Sequence, residues 1–362
     1  MRLLHTSDWH LGHALHGVSR EYEHTQFMEW LLDTLTADEV DALLITGDVF
    51  ETHNPGAAAQ AAWYAFLADA KRRLPELQIV VIGGNHDSAE RLNAPTPLLT
   101  HFGIHVVGGL LRLDDDALDL ERLVIPLRDR SGAPAAWLAA VPYLRTADLR
   151  TTDEASQDSL QEGVRRIYAE VLAAARARLE AGQALIATGH CYMQGGALSE
   201  LSERKILGGN QHALPVDIFP DDVAYAALGH LHKAQAVGKE HMRYAGSPLP
   251  LSMAEMHYKH QVMVVDLAGG VVEAMRAIEV PRMVPLLRVP SDGPRPLAEV
   301  IEKLKALPAR DTVAREELRP YLEVCVQLNG LEPRLKYEIE AALDGRAARL
   351  LTIKTTTPAG EL

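Results

Sequence analysis

Five short polar motifs recur along this chain, and each follows a stretch of apolar residues that is typical of a β-strand. The motifs are Asp8-Trp9-His10, Gly47-Asp48, Gly84-Asn85-His86-Asp87, Gly189-His190 and Gly229-His230-Leu231-His232. The candidate strands before them are Leu3-Leu4, Ala42 to Thr46, Ile79 to Ile82, Ala184 to Ala187 and Ala224 to Leu228. Because ligands of an open α/β sheet gather beyond the carboxyl ends of its strands, these distant side chains could meet in one site.

The motifs share one chemistry, since they offer Asp, Asn and His but no thiolate. That mixture suits hard to borderline divalent ions such as Mn²⁺, Fe²⁺ or Zn²⁺ in a hydrolytic site. Asp8 and His10 are two residues apart, so both can point to one side of an extended segment. Asp48 is the natural candidate to bridge two ions, and two ions about 3.5–4 Å apart can clamp the attacking and leaving oxygens of a displacement.

Strand and helix patterns predict an α/β fold in which two sheets pack together with helices outside. Residues 1 to about 110 alternate between strands and helices, and residues 222–278 form a run of short strands. The predicted helices are 19–36, beginning at Ser19, then 56–73, 89–102 and 157–180; two strands share 122–142, and 192–215 is a long loop. The first domain is predicted to cover 1–278.

A small α+β domain is predicted over 279–362. Its start coincides with a proline-rich stretch, 281–296, that is typical of a linker. The predicted elements that follow are helix 296–306, strand 320–328, helix 332–344 and strand 347–355.

Composition excludes several classes of protein. The net charge of −13 argues against a generic nucleic-acid binder, although carboxylates that hold metals count in that sum and a nuclease stays compatible with it. The two cysteines, Cys191 and Cys325, give no disulfide framework, which fits a reducing cytoplasm. No apolar run approaches the roughly 18–20 residues that span a bilayer, and the N-terminus has no pattern of a secretory signal.

The order of the five motifs resembles that of the calcineurin-like binuclear metallophosphoesterases. Four longer segments resemble the SbcD family, the nuclease subunits of bacterial double-strand-break repair nucleases. They are Leu4-His5-Thr6-Ser7-Asp8-Trp9-His10-Leu11-Gly12, Gly47-Asp48-Val49-Phe50, Gly84-Asn85-His86-Asp87-Ser88 and Tyr244-Ala245-Gly246-Ser247-Pro248. The likeness covers about 1–275, and the small domain corresponds to the family's capping domain in position and pattern. It implies a two-sheet metallophosphoesterase sandwich flanked by helices, plus an α+β cap.

The resemblance also implies roles for the motif residues, with two Mn²⁺ ions as the cofactors. One ion would take Asp8, His10, Asp48 and His232, and the other would take Asp48, Asn85, His190 and His230. His86 would meet the phosphate or leaving oxygen, and Asp87 would orient His86 by accepting a ring N–H.

The implied activity is that of a Mn²⁺-dependent DNA nuclease, a 3′-to-5′ exonuclease on duplexes and an endonuclease on single strands and hairpins. The implied partner is an SMC-like ATPase of the SbcC type, and we expect its docking segment beyond the cap to be absent, since the chain stops at Leu362. A homodimer through helices 56–73 and 89–102 and a cytoplasmic, nucleoid-associated location are further expectations. The alternative function is a phosphodiesterase or phosphatase for small substrates, which the acidic charge favours.

Contacts with DNA would need local cations even on an acidic protein. Candidates near the motifs are Arg20, Lys205, Lys233 and Arg243, together with His53, which follows the Gly47-Asp48 motif.

Overall fold

A computed structural model of the protein describes residues 1–150, 157–197 and 213–357. The chain divides into two compact units. The first contains Met1–His13 and His24–Val280, and the second contains Ala14–Glu23 and Pro281–Leu362. Within the described ranges, no helix is both long and apolar enough to cross a membrane.

Strands and helices alternate through the first half of the chain, and strands dominate from residue 223 to 289. The strands are β1 (Arg2–Thr6), β2 (Ala14–Leu15), β3 (Val18–Ser19), β4 (Ala42–Thr46), β5 (Gln78–Ile82), β6 (Ile104–Val107), β7 (Val124–Arg128), β8 (Pro134–Ala139), β9 (Ala184–His190), β10 (Val223–Gly229), β11 (Gln235–Val237), β12 (Lys239–Tyr244), β13 (Gln261–Ala268), β14 (Val271–Glu279), β15 (Leu286–Val289), β16 (Arg295–Pro296), β17 (Tyr321–Gln327) and β18 (Arg349–Thr356). The α-helices are α1 (Glu21–Ala37), α2 (Ala57–Arg73), α3 (Ala89–Asn93), α4 (Thr96–Leu99), α5 (Leu120–Leu123), α6 (Thr146–Leu149), α7 (Gln157–Arg176), α8 (Leu297–Lys305) and α9 (Leu335–Leu343).

Two six-stranded sheets form the first unit, with strand orders β14-β13-β1-β4-β5-β6 and β11-β12-β10-β9-β8-β7. The strands that carry the motifs run parallel to one another: β1 with β4 and β4 with β5 in one sheet, and β9 with β10 in the other. The antiparallel pairs lie toward the edges, where β1 pairs with β13, β13 with β14, β11 with β12 and β7 with β8. The carboxyl ends of the motif strands therefore face one end of each sheet.

Alternating side chains along the central strands fill two separate cores. Leu3 and Leu44 belong to the core shared by both sheets, whereas Leu4, Leu43 and Ile45 pack in the core that contains the apolar faces of α1 and α2. Central parallel strands are buried on both faces, which explains why Ala42–Thr46 reads as a continuous apolar run. The predicted two-sheet sandwich with outer helices is confirmed.

The two sheets approach closely where the motif strands end. A Cβ atom built on Gly229, the last residue of β10, would lie 1.9 Å from the main-chain oxygen of Thr46, the last residue of β4. Only glycine permits such a contact, because any side chain would overlap that oxygen. Gly229 therefore lets strand ends from different sheets share one site.

The predicted helix 56–73 is confirmed as α2, whereas 89–102, predicted as one helix interrupted by Pro95 and Pro97, is not a single helix. That segment breaks into α3, α4 and a 3₁₀ turn over Thr100–Phe102. Pro95 lies between the two helices, where it offers no backbone N–H and cannot continue the helix before it. The first predicted helix, 19–36, is α1, but it begins at Glu21, two residues after the predicted start at Ser19.

The second unit has its own sheet and core. β15, β16 and β18 all pair in parallel with β17, and α8 and α9 contribute Val300, Leu304 and Ile339 to an apolar cluster with Leu322 and Val324. The predicted elements of this region are present. However, the stretch 281–296 is not a plain linker, because it contains β15 and the short β16.

The hairpin of β2 and β3 belongs to this second unit. The predicted domain boundary between 278 and 279 placed these residues in the first domain instead. Arg20, just after the hairpin, is buried and binds the Glu23 carboxylate, with 2.7 Å from its Nη2 to Oε1. The Tyr321 hydroxyl donates to the same carboxylate at 2.7 Å. The segment around Arg20 thus joins this unit through the hydrogen bond from Tyr321 to its buried charge pair.

Candidate metal centre

The structure brings the five predicted motifs together. Ligand atoms of three overlapping groups lie within 4.8 Å of one another in each group. The groups are Asp8, His10 and His232; His10, Asp48 and His86; and Asp8, Asp48 and His190. The remaining two predicted ligands, Asn85 and His230, join through the Asn85 side-chain oxygen, which lies 3.0 Å from His190 Nε2 and 2.9 Å from His230 Nδ1.

Four of these residues have the left-handed backbone conformation that side chains rarely adopt. The φ angles are 54° at Asp8, 49° at His10, 49° at Asp48 and 100° at His230. Such conformations cost about 1–3 kcal/mol each and persist only where surrounding contacts enforce them. Main-chain hydrogen bonds do so here, since Asp8 N donates to Gly47 O and His10 N donates to Asp48 O, both at 3.0 Å. The site is therefore preorganised by the strand ends.

His10 and His232 are each oriented by a carboxylate behind the ring. His10 Nδ1 lies 2.8 Å from Glu51 Oε2, and His232 Nδ1 lies 3.0 Å from Glu255 Oε1. The other nitrogen of His10, Nε2, is buried and has no hydrogen-bond partner among the residues that the structure describes. A buried nitrogen left in that state costs free energy, and a metal ion would satisfy it. The site fits a metal on this observation.

Asp48 lies between the two sides of the cluster. Its Oδ2 is 3.6 Å from His10 Nε2 and 3.3 Å from His190 Nε2. Its Oδ1 accepts a hydrogen bond from the main-chain N–H of His86 at 2.8 Å. His190 is fixed from behind by the Thr46 main-chain oxygen, 2.8 Å from Nδ1. Asp48 is thus placed to be shared by two cations.

Electrostatics within the cluster are strong because the groups are buried. Burial raises the pKa of Asp48, but the charges of His190 and His10 more than offset this and hold it well below its usual range. Burial lowers the pKa of His190, yet Asp48 and Asp8 raise it to about 9. Burial and the charge of His190 lower the pKa of His230 to about 3. The carboxylates therefore create a negative site that binds positive charge, which suits divalent cations.

His86 lies beside the cluster, half-buried, with its ring centroid 4.8 Å from that of His10. The Glu51 main-chain oxygen is 2.8 Å from His86 Nδ1. The prediction that Asp87 orients His86 is therefore wrong. The two oxygens of Asp87 instead accept main-chain N–H groups of Val49, Phe50 and Gly84, at 3.2, 3.0 and 2.9 Å.

Asp87 consequently acts as a tie between two motif loops. Burial and the charge of Asp48 raise the pKa of Asp87 to about 6, although the hydrogen bonds from the three main-chain N–H groups lower it. Substituents at the Gly84 position would disturb this arrangement, because a Cβ there would lie 2.1 Å from Asp48 Oδ1.

Glu51 and Glu255 were not among the site residues predicted from the sequence. Glu51 could have been found, since it directly follows the Gly47-Asp48-Val49-Phe50 segment. Glu255 lies in a 3₁₀ turn over Met253–Glu255, and only its complete burial identifies it. No pattern in the sequence indicates that Glu255 is buried, so only the structure identifies its partner.

Arg145 and Tyr143 were also missed. The Arg145 guanidinium lies 5.8 Å from the centroid of the Tyr143 ring, and that ring lies edge-on to His190 with centroids 6.2 Å apart. Arg145 also donates to the Asp87 main-chain oxygen at 3.0 Å. Their signal was available, because both follow β8, the neighbour of the strand that carries His190.

The five candidate DNA contacts differ in exposure. The prediction for Arg20 is wrong, because its side chain is buried against Glu23. Arg243 is 19% exposed and paired with Glu240, whereas Lys233 is exposed, with its ammonium 5.7 Å from the Tyr258 ring centroid.

The two other candidates lie on loops. His53 is exposed in the segment between β4 and α2, which also carries Glu51. Lys205 lies outside the described residues.

Comparison with protein families gives two matches. Residues 1–234 match the family of calcineurin-like phosphoesterases. Residues 282–361 match the SbcD_C family, described as the type 5 capsule protein repressor C-terminal domain.

Curated relatives cover both units. The chain is 42% identical over 362 residues to the D subunit of the nuclease SbcCD from Rhodobacter capsulatus, a match that spans 99% of this chain and 88% of that protein. It is 34% identical over 299 residues to the protein of the same name from Escherichia coli K12, spanning 81% of this chain and 71% of that one. A third relative of this name, from Bacillus subtilis, is 34% identical over 277 residues, 75% of this chain and 67% of that protein.

Asp48→Asn should remove both divalent ions, because Asp48 Oδ2 lies near imidazole nitrogens of both sides of the cluster. The amide keeps an oxygen that can accept the His86 N–H, so the loops should remain folded. Metal content after gel filtration, measured by mass spectrometry, tests this. Asp266→Asn, on β13, is the matched control and should retain the wild-type metal content. One tightly held ion in the Asp48 variant would contradict a shared ligand.

Proposed function

Because this chain belongs to the SbcD family of nuclease subunits, within the calcineurin-like phosphoesterases, we propose that it is a Mn²⁺-dependent DNA nuclease. It acts as a 3′-to-5′ exonuclease on duplex DNA and as an endonuclease on single strands and hairpins. The observation that carries this proposal is the convergence of all seven candidate ligands on one site. Five of them lie in overlapping groups, two of which contain Asp48, and Asn85 joins His190 and His230 to them.

The donor set divides between two ions. One would be held by Asp8, His10, Asp48 and His232, and the other by Asp48, Asn85, His190 and His230. When bound, two such ions supply positive charge to the phosphate and generate a hydroxide nucleophile near neutral pH.

His86 serves the phosphate side of the reaction. The Glu51 carbonyl oxygen accepts the Nδ1–H of His86, which orients the ring so that Nε2 can meet a substrate oxygen. As an imidazolium, protonated on both nitrogens, the ring stabilises the charge of the phosphate or gives its Nε2 proton to the leaving oxygen. Asp87 supports this geometry indirectly, by tying the loops that carry Asp48 and His86.

The protein works as one component of a larger nuclease. The names of the relatives describe one subunit of a nuclease called SbcCD, and the second component that we propose is an SMC-like ATPase of the SbcC type. Since the substrate in this proposal is chromosomal DNA, we expect the complex in the cytoplasm, at the nucleoid.

A phosphodiesterase or phosphatase for small substrates is the second candidate, which the net charge of −13 favours. An assay with linear duplex DNA, a DNA hairpin and para-nitrophenyl phosphodiesters, each with Mn²⁺, Mg²⁺ or a chelator, separates the two. The proposal requires DNA cleavage with Mn²⁺ and none in chelator. Hydrolysis of the small ester without cleavage of DNA supports the second candidate.

His86→Ala should abolish cleavage of duplex DNA while both metal ions stay bound, because the ring faces the substrate in this proposal. Loss of one positioned acid or charge typically lowers a rate by about 10²–10⁴-fold. Cleavage rate and metal content are measured on the same preparation. His241→Ala, a change at a half-buried histidine of β12 that is not one of the site residues, is the control. If the His86 variant loses its metals, the ring is a ligand instead.

DNA binding should weaken steeply as salt rises, because each phosphate contact releases counterions. Lys233→Ala should lower the slope of log affinity against log salt by about 1, which is the expected effect of one lost contact. Fluorescence anisotropy in the His86→Ala background avoids cleavage. Lys239→Ala removes an exposed ammonium already paired with Asp221 and is the matched control. A flat salt response would argue for a small-molecule substrate.

We propose that two copies pair through the face that carries α2, α4 and the adjoining 3₁₀ turn. Exposed apolar side chains collect on these elements: Tyr64 is 39% exposed, Leu98 63% and Phe102 53%. Leu67 does not belong to this face, since it is 2% exposed and packs in the core of its own chain. A two-fold pair would place the same patch against itself.

Leu98→Asp combined with Tyr64→Asp should convert a dimer into a folded monomer that still binds metal, because both charges fall on the proposed contact. Light scattering at micromolar concentration gives the mass. Leu331→Asp adds a charge at a residue that is 97% exposed in the second unit and should remain dimeric. A wild-type monomer at that concentration would rule the pairing out.

A further inference from the structure

The histidines of the centre differ in what lies behind them. His10 and His232 each have a carboxylate at Nδ1, from Glu51 at 2.8 Å and Glu255 at 3.0 Å. His190 has a neutral main-chain oxygen at the same position, from Thr46 at 2.8 Å. The two carboxylate-backed rings belong to the same group, which also contains Asp8.

Both carboxylates are held in place. Glu255 is completely buried, and its second oxygen accepts the Leu251 N–H at 2.8 Å. The Glu51 side chain is 27% exposed and lies against the His10 ring, which is itself buried. Each ring is therefore backed by a carboxylate oxygen in a fixed position.

A carboxylate that accepts the Nδ1–H fixes the tautomer and makes Nε2 a more basic ligand. Such partners typically change metal affinity by about 10–100-fold. Each carboxylate also adds negative charge close to the cation. A main-chain oxygen fixes the tautomer equally well but adds no charge.

The ligands themselves show the same imbalance. Asp8, whose carboxylate also lies within 4.8 Å of a His190 nitrogen, joins Glu51 and Glu255 on the side of His10 and His232. On the other side the ligand is Asn85, which is neutral and lies within 3.0 Å of the His190 and His230 rings. Asp48 is common to both.

We propose that the two cation positions are unequal, that the one formed by Asp8, His10 and His232 binds first and tightly, and that Glu51 and Glu255 set this difference. The second position, formed by Asn85, His190 and His230, binds the exchangeable ion. This inference rests on the proposed two-metal function, and it assigns Glu51 and Glu255 as positioning residues.

The proposal is tested by titrating the metal-free full chain with Mn²⁺ and monitoring the binding by calorimetry and electron paramagnetic resonance. Wild type should bind one ion tightly, with the spectrum of an isolated ion, and a second ion more weakly, with a spin-coupled spectrum. His230→Ala should lose only the weak step, which identifies the positions.

Glu51→Gln and Glu255→Gln should each weaken the tight step by about 10–100-fold and leave the weak step within about twofold. Glu51→Gln is the cleaner change, because its carboxylate contacts the His10 ring through one oxygen, and an amide oxygen can keep that bond. Urea unfolding of both variants reports on any loss of folding. Glu323→Gln removes a buried carboxylate from β17 of the second unit and should alter neither step.

Two results would overturn the proposal: equal affinities in wild type, or a Glu variant that weakens only the step lost in His230→Ala. These outcomes are independent of the proposed nuclease function, which fails only if wild type with Mn²⁺ does not cleave DNA. Metal binding is read without any substrate, so the two failures can be told apart.

Discussion

The contact between the ends of β4 and the strands of the opposite sheet is the constraint on which the site depends. His190, at the end of β9, reaches the Thr46 main-chain oxygen at the end of β4, and Gly229 of β10 passes the same oxygen without a side chain. Without this approach, Asp48 and Asn85 from one sheet could not meet His190 and His230 from the other. Burial then makes the charges of the cluster interact strongly, which is why the pKa of Asp48 is lowered while that of His190 is raised.

The ligand set could be predicted because its signal is local. Asp48 and His230 each follow an apolar strand within two residues, His190 is the last residue of one, and strand ends meet at one edge of a parallel sheet. The helix α2 and the elements α8, β17, α9 and β18 were predicted for a similar reason, since their apolar periodicity reflects the core that they build themselves.

The remaining features depend on contacts between residues far apart in sequence, which no local pattern encodes. Arg20 looked like a surface cation, but Tyr321 and Glu23 bury it. Asp87 sits beside His86 in the chain, yet its oxygens face the amides of another loop. No motif surrounds Glu255, and its role at the site follows from its contact with the His232 ring. β15 was not predicted, since prolines surround it in the sequence. Its partner strand β17 lies more than thirty residues later, so no local pattern indicates the pairing.

The left-handed conformations at Asp8, His10, Asp48 and His230 have a consequence for how this site can vary in evolution. Asparagine and aspartate tolerate that conformation best among residues with side chains, whereas β-branched residues are strongly disfavoured in it. At Asp8 and Asp48, backbone geometry and ligand chemistry therefore select the same few amino acids. Drift toward a metal-free descendant would pass first through asparagine or glycine, which keep the loops intact after the charge is gone.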